Sequence, residues 1–190
     1  MNQTAQTDAF ETDADPLAIL IAPHALLRQK TRLVRPEDVP GLRSLLPRMF
    51  AAMYRAPGIG LAAPQVGLGL RLAIVDLMEI EVPAPLTLVN PEVVVFTDAQ
   101  VSREEGCLSL PGQYAEVIRP QGVRVRYQDL DGTTHQLDAD GLLATCLQHE
   151  IDHLDGVLFV DHISALKRNM LMRRLAKDQK IKDQKARSGG

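Results

Sequence analysis

The chain has few aromatic residues, few cysteines and no excess of positive charge. Aromatic side chains make up 4% of the 190 residues, with no tryptophan, which argues against a surface that stacks nucleic-acid bases. The formal net charge of −3 predicts no field that attracts polyanions, so DNA is not an expected partner. The two cysteines, Cys107 and Cys146, are too few for a disulfide framework, which favours a reducing, cytoplasmic location.

Long apolar runs and targeting segments are also missing. The apolar run at residues 17–22 is too short to span a bilayer, so no membrane partner is expected. Residues 1–15 are acidic and contain neither Lys nor Arg, whereas secretory signals and transit peptides carry basic residues. We therefore predict a disordered acidic tail over residues 1–15.

The remaining composition is that of one globular domain. Hydrophobic residues make up 45% of the chain and charged residues 24%, which is ordinary for a folded domain with a core. We predict one domain over residues 16–178 and a polar tail over residues 179–190. Nothing in the pattern requires a second copy, and we expect a monomer.

Short strands mixed irregularly with a few helices predict an α+β fold. Apolar spacing predicts a helix at residues 40–55, with Pro47 as a point where it kinks or divides. The expected strands and loops are a loop at 56–69, strands at 71–77, 86–90, 92–97 and 156–161, and a hairpin at 123–140 that turns at Asp131-Gly132. We expect antiparallel or mixed short sheets packed around a central helix at 139–156, with a basic C-terminal helix from Ser164.

The central helix carries the sequence QHEIDH, with His149, Glu150 and His153 in a His-Glu-x-x-His pattern. Residues four apart share one face of a helix, so the two histidines can hold one metal ion. The glutamate between them lies beside that ion as a candidate base. Asp138 or Asp140 is expected to cap the start of this helix, and Gly156 to end it.

Two histidines need a third ligand, and the spacing alone leaves its identity open. Cys146 lies on the same face as His153, but seven residues of helix separate them by roughly 10 Å, so they cannot share an ion. His24, His135 and His162 stand alone and are predicted to be surface or loop residues. Cys107, which follows a glycine in a polar segment, is the remaining candidate.

Three segments together resemble the signature motifs of the bacterial-type peptide deformylase family. They are GIGLAAPQ at 58–65, EGCLS at 105–109 and QHEIDHLDG at 148–156, and the resemblance extends over roughly residues 17–175. It implies that Cys107, His149 and His153 bind the metal and that Glu150 is the catalytic acid/base. It also implies that Gln65 and the backbone N–H of Leu108 stabilise the oxyanion. The implied substrate-binding residues are Ile59, Gly60, Gly106, Tyr114, Leu142 and Cys146.

The implied reaction removes the formyl group from the N-terminal methionine of new polypeptides and releases formate. The ligand set suits one divalent ion per chain; Zn²⁺, Ni²⁺ or Co²⁺ fit it, and the resemblance favours Fe²⁺ in the cell. Residues 22–29 depart from the family's usual N-terminal pattern, and we expect them to lie away from the chemistry. Two other functions fit parts of the sequence: a zinc peptidase, with Asp161 or His162 as its third ligand, and a binding protein without activity.

Charged residues outside the motifs suggest supporting roles. We predict that Glu105 pairs with Arg119 and holds the EGCLS segment. Asp152 and Asp155 are candidates for partners of the metal-binding histidines, with a helix-surface role as the alternative. Nine basic residues between 167 and 187 form either a solvated helix face or a surface that docks on the ribosome.

Overall fold

The computed structural model describes residues 14–78 and 85–188. The predicted tail at 1–15 therefore lies outside the described residues except for its last two. The helices and strands are α1 (Val39–Arg55), β1 (Gly60–Ala62), β2 (Leu72–Val75), β3 (Leu86–Phe96), β4 (Gln100–Gly106), β5 (Tyr114–Pro120), β6 (Gly122–Gln128), β7 (Thr134–Asp140), α2 (Gly141–Leu154) and α3 (Ala165–Ser188). Short 3-10 turns lie at Ala25–Arg28, Pro36–Asp38, Ala63–Val66 and Phe159–Asp161. None of the helices in these ranges is both long and apolar enough to cross a membrane.

The strands form two antiparallel sheets around α2. One sheet has five strands in the order β1-β2-β3-β6-β7, and the other pairs β4 with β5. Helix α2 contacts strands of both sheets, so the α+β fold and the central position of this helix are confirmed. The His-Glu-x-x-His motif on α2 therefore lies where the two sheets meet.

Both faces of β2 are covered, which explains its unbroken apolar sequence. Successive strand residues point to opposite faces. Leu72 and Ile74 join the cluster that holds α1, and Val75 joins the cluster that holds α2. The five-stranded sheet is thus packed between α1 and α2, and this packing holds α2 in place.

Helix α1 runs through Pro47 without a break, so the predicted division does not occur. A proline removes one helical hydrogen bond and crowds the preceding turn. Here Leu46 and Met49, on either side of Pro47, are buried in the same core as Phe50 and Met53. We infer that burial of this apolar face outweighs the cost of the proline.

Four predicted elements differ from the observed ones. The strands expected at 86–90 and 92–97 form one strand, β3, whose pairing with β6 shifts register near Pro91. Residues 156–161 are not a strand; they contain a 3-10 turn in which the Asp161 carboxylate accepts from Leu158 N at 2.9 Å. The predicted loop at 56–69 contains the short strand β1.

The hairpin and the C-terminal end of α2 follow the sequence closely, but the predicted side-chain cap at the start of α2 is absent. Strands β6 and β7 pair in register, and Gly132 between them has φ +84°. Asp140 occupies the N-cap position of α2 but makes no side-chain capping bond, and Asp138 pairs with Arg124 instead. Gly156 has φ +76°, and an added Cβ there would lie 2.7 Å from the backbone of Arg28.

Helix α3 is partly anchored in the core and extends farther than predicted. Leu175 is buried in a cluster with Leu110 and Val117, and Leu171 and Met172 pack against it. The helix continues through Ser188, so residues 179–188 of the predicted polar tail are helical. One face of α3 therefore supports the segment that carries Cys107.

Candidate metal centre and active site

Cys107, His149 and His153 come together at the junction of the two sheets. They form the one group among residues 14–78 and 85–188 that offers three His, Cys, Asp or Glu ligand atoms to one ion, all within 4.8 Å of one another. Cys107 follows β4, and the histidines project from neighbouring turns of α2. Bonds of about 2.0 Å to nitrogen and about 2.3 Å to sulfur place tetrahedral ligands roughly 3.5 Å apart. The donor set and its spacing fit a divalent metal.

The charge environment favours the metal-binding form of Cys107. Burial opposes ionisation of the thiol, but the neighbouring His153 and His149 outweigh burial and lower the pKa of Cys107 to about 5. The Cys107 sulfur lies 3.2 Å from His153 Nε2. Since a thiolate is the form of cysteine that binds metals, this sulfur is prepared for that role.

A buried carboxylate orients His149. Its Nδ1 lies 2.9 Å from Glu105 Oε2, so the imidazole donates there and its Nε2 faces the cluster. Arg119 binds the same carboxylate through two contacts of 2.5 and 3.0 Å. The predicted Glu105–Arg119 pair is present, and it is nearly inaccessible, with 4% and 5% of the two side chains exposed.

The chain of contacts continues outward from Arg119. Its Nη1 donates to Asp152 Oδ2 at 2.8 Å, and His162 Nε2 lies 2.7 Å from the same oxygen. Asp152 thus supports His149 only through Arg119 and Glu105, while Asp155 forms ion pairs with Arg71 and Lys30. Neither aspartate forms a hydrogen bond with His149 or His153 among the described residues. Glu105 is the carboxylate that contacts His149. The sequence analysis predicted its pairing with Arg119 but not this contact with His149.

Glu150 lies inside the site without joining the ligand cluster. Its Oε2 is buried and has no hydrogen-bond partner among the described atoms. Burial raises the pKa of Glu150 to about 7, although His149 and His153 act in the opposite direction. An added Cβ on Gly60 would lie 2.4 Å from Glu150 Oε1, so the backbone of β1 approaches this carboxyl closely because residue 60 is glycine.

The side chain of Gln65 lies next to Cys107. Its Oε1 accepts a hydrogen bond from Ala62 N at 2.8 Å. Its Nε2 lies 3.6 Å from Cys107 Sγ and 3.2 Å from Ser109 Oγ. The amide hydrogens of Gln65 therefore face Cys107 and Ser109.

A cleft of about 540 Å³ opens onto Cys107, His149 and Glu150. All the residues expected to bind substrate line it, together with Gln65 and Leu108: Ile59, Gly60, Gly106, Tyr114, Leu142 and Cys146. Burial and the nearby Glu150 raise the pKa of the Cys146 thiol. Cys146 is therefore a neutral, apolar wall residue and not part of the ligand group.

The histidines outside the motif have other partners. His24 accepts from Leu26 N, and His135 pairs with Asp129. Asp161, the third ligand expected for a peptidase, binds Arg28. His162, the other such candidate, lies outside the ligand cluster and binds the Asp152 carboxylate.

The N-terminal segment lies closer to the chemistry than expected. Leu20 N donates to Gln65 O at 2.7 Å, and Ala22 N donates to Ser109 O at 2.9 Å. Ala22 begins the stretch that departs from the family pattern, and we expected that stretch to lie away from the site. The expectation was wrong for Ala22, because residues 20–22 bridge two loops that are distant in sequence, and such pairing leaves no periodic signal.

Known proteins of one family match most of this chain. The family model described as polypeptide deformylase matches residues 16–169. The chain belongs to the polypeptide deformylase family. A peptide deformylase of Mesorhizobium japonicum is 53% identical over 165 residues, which cover 85% of this chain and 93% of that protein. A peptide deformylase of Brucella suis is 52% identical over 160 residues, 84% of this chain and 91% of its own length.

Solved deformylase structures share the fold. The crystal structure of a peptide deformylase from Legionella pneumophila has a TM-score of 0.82 at 42% identity and covers 90% of this chain and 98% of its own. The Synechococcus elongatus deformylase, solved in complex with actinonin, has a TM-score of 0.77 at 43% identity and covers 86% and 88%. This chain is thus a deformylase that removes the N-formyl group from nascent peptides. The family is metal-dependent.

Proposed function

We propose that Cys107, His149 and His153 hold the divalent ion and that Glu150 is the catalytic acid/base. The observation that carries this assignment is the ligand group, whose three donor atoms lie within 4.8 Å of one another. Two of its residues, Cys107 and His149, line the cleft. A divalent ion bound there would polarise a water molecule and lower its pKa. The neutral amide of the substrate resists attack by ordinary water, so this activation is needed near neutral pH.

Glu150 takes the proton from the attacking water and passes it to the leaving nitrogen. Its pKa of about 7 is suited to both steps, since a general acid/base works best near the operating pH. Its unpartnered Oε2 leaves an acceptor free for the proton. Bond cleavage then yields formate and the free amino terminus.

Gln65 and the backbone N–H of Leu108 stabilise the negative charge that develops on the formyl oxygen. Each such donor contributes about 3 kcal/mol in other enzymes. Gln65 is held with its Nε2 towards Cys107, and Leu108 is the next residue along the chain. Both residues line the cleft.

The substrate is an extended formyl-methionyl peptide. The part of the cleft beside Cys107 and His149 accepts the small formyl group. Leu142, Cys146 and Ile59 form an apolar wall for the methionine side chain. Gly60 lines the cleft on β1, an edge strand of the five-stranded sheet. Its backbone can therefore pair with an extended peptide.

Fe²⁺ is the ion that we propose for the cell. One thiolate and two imidazoles also bind Zn²⁺, Co²⁺ and Ni²⁺, so the ion has to be identified by metal analysis. The protein should be purified without oxygen before this measurement. The two free cysteines suit a reducing cytoplasm, and we propose a cytoplasmic monomer.

Metal analysis combined with a formate-release assay tests the ligand assignment. We expect about one ion per chain in the anaerobically purified protein and formate release from formyl-Met-Ala-Ser. Cys107→Ala should lose both the ion and the activity, because the two remaining imidazoles hold a metal weakly. Cys146→Ala serves as the control for metal content and should keep its ion. A Cys107→Ala protein that retains a full ion would contradict the assignment.

The basic helix α3 is proposed to dock on the ribosome, where the substrate first appears. Its exposed basic residues are Lys167, Arg173, Arg174, Lys177, Lys180, Lys182 and Lys185. Contacts of such residues with RNA phosphates release counterions, so binding should weaken steeply with salt. Deletion of the helix after Lys167 is unsuitable as a test, because it removes the buried Leu175.

Neutralising surface charge is the cleaner test of docking. Changing Arg173, Arg174 and Lys177 to Gln should reduce co-sedimentation with ribosomes at low salt by about tenfold. Formate release from a short formyl peptide should stay within about twofold, because these side chains are exposed.

A matched triple variant controls for net charge. Lys30, Arg35 and Arg43 are exposed basic residues outside α3, and changing them to Gln removes the same charge. Equal losses of co-sedimentation in the two triple variants would rule out a role specific to α3.

A further inference from the structure

We infer that Ser109 is a positioning residue that holds the side-chain amide of Gln65 in its catalytic orientation. The inference rests on the proposed role of Gln65 as an oxyanion donor and adds a residue to it. Ser109 does not reach the reacting atoms itself, and its effect is exerted through Gln65.

Two contacts determine which way the Gln65 amide points. Ala62 N donates to Oε1 at 2.8 Å, which assigns the oxygen to that side and turns the NH₂ group towards residues 107–109. Ser109 Oγ then accepts from Nε2 at 3.2 Å. The torsion at the end of a glutamine side chain has broad minima, so one contact alone leaves the amide free to swing.

The NH₂ group of Gln65 has two hydrogens, and one of them is donated to Ser109 Oγ. The other points towards Cys107 Sγ, with Nε2 and Sγ 3.6 Å apart. This contact is longer than an N–H···O hydrogen bond, so little is lost when a developing oxyanion at about 2.9 Å accepts the second hydrogen instead. Ser109 thus keeps one hydrogen engaged and leaves the other available in a fixed direction.

The backbone on both sides of this contact is braced. Leu20 N donates to Gln65 O and Ala22 N donates to Ser109 O, at 2.7 and 2.9 Å. Residues 20–22 thereby tie the Gln65 loop to the Ser109 loop. Both side chains are also buried, with Gln65 1% and Ser109 0% exposed, so water does not compete for the hydroxyl.

A double-mutant cycle separates positioning from a general structural role. The four proteins are wild type, Ser109→Ala, Gln65→Ala and the double variant, each assayed for kcat, KM and bound metal with formyl-Met-Ala-Ser. Ser109→Ala should lower kcat about tenfold, leave KM within about twofold and keep about one ion per chain. In the Gln65→Ala background, the same change should lower kcat less than twofold, because its target is gone.

Different outcomes reject different claims. An equal loss from Ser109→Ala in both backgrounds, or loss of the metal, would show that Ser109 acts on the Cys107 loop and would overturn the inference. A large loss in Gln65→Ala with no loss in Ser109→Ala would reject Ser109 and keep the role of Gln65. Full kcat in Gln65→Ala would reject the oxyanion assignment, and the inference with it. Ser102→Ala, on the exposed side of β4, is the control and should match wild type.

Discussion

Glu150→Ala is expected to keep about one metal ion per chain and to lose at least about 10³-fold in kcat. General acid/base residues contribute 10²–10⁴-fold in typical enzymes, and here one carboxyl serves both proton transfers. The metal should remain, because the ligand group consists of Cys107, His149 and His153 without Glu150.

The isosteric variant Glu150→Gln separates proton transfer from packing. It fills the same buried space, where 4% of the residue is exposed, but it cannot accept the proton. We expect its kcat to fall as far as that of the alanine variant, with metal content measured on the same samples. A folded Glu150→Ala protein without metal would identify Glu150 as a ligand and refute our assignment.

Arg119→Leu is expected to destabilise the fold by about 3–5 kcal/mol, because it leaves Glu105 buried without its countercharge. The guanidinium contacts both oxygens of Glu105 and one of Asp152. Replacement by Lys should be intermediate, since an ammonium cannot bind a carboxylate through two parallel contacts. Equilibrium unfolding in urea measures the loss.

The same variant should also weaken the metal site. Glu105 orients His149, and loss of a partner behind a metal ligand typically lowers affinity 10–100-fold. Chelator competition measures this effect. Arg124→Leu is the control, because Arg124 pairs with Asp138 at an exposed position. Similar metal affinity in both variants would show that the buried chain of contacts does not reach the metal.

The sequence predicts the fold where the pattern is local and repeats. Helix α1 was expected at 40–55 and lies at Val39–Arg55, because its apolar face has helical spacing. The hairpin of β6 and β7 was predicted from its Asp131-Gly132 turn. Residues 156–161 misled the prediction because Leu158, Phe159 and Val160 are all buried, and a continuous apolar run has no period that separates a strand from a turn.

The site could be predicted only in part for a similar reason. Two histidines four residues apart on one helix can be recognised from the sequence, because residues with this spacing share a face. The partners of this helix are distant in sequence, and Glu105 is 44 residues away from His149. The family motifs indicated Cys107 and Gln65, but no motif indicated that Ser109 contacts Gln65 or that residues 20–22 bridge their loops. Such contacts are set by tertiary packing.

The bridging segment at residues 20–22 also bears on how the active site is assembled during folding. It joins Gln65 to Ser109, and α2 closes on them from still farther along the chain. Bringing distant segments together costs loop-closure entropy, and helices, whose contacts are local in sequence, do not have this cost. A chain emerging from the ribosome has made Gln65 and Cys107 long before His153 is synthesised. The active site therefore cannot be complete until α2 has been made, and a fragment that ends before α2 would hold neither histidine.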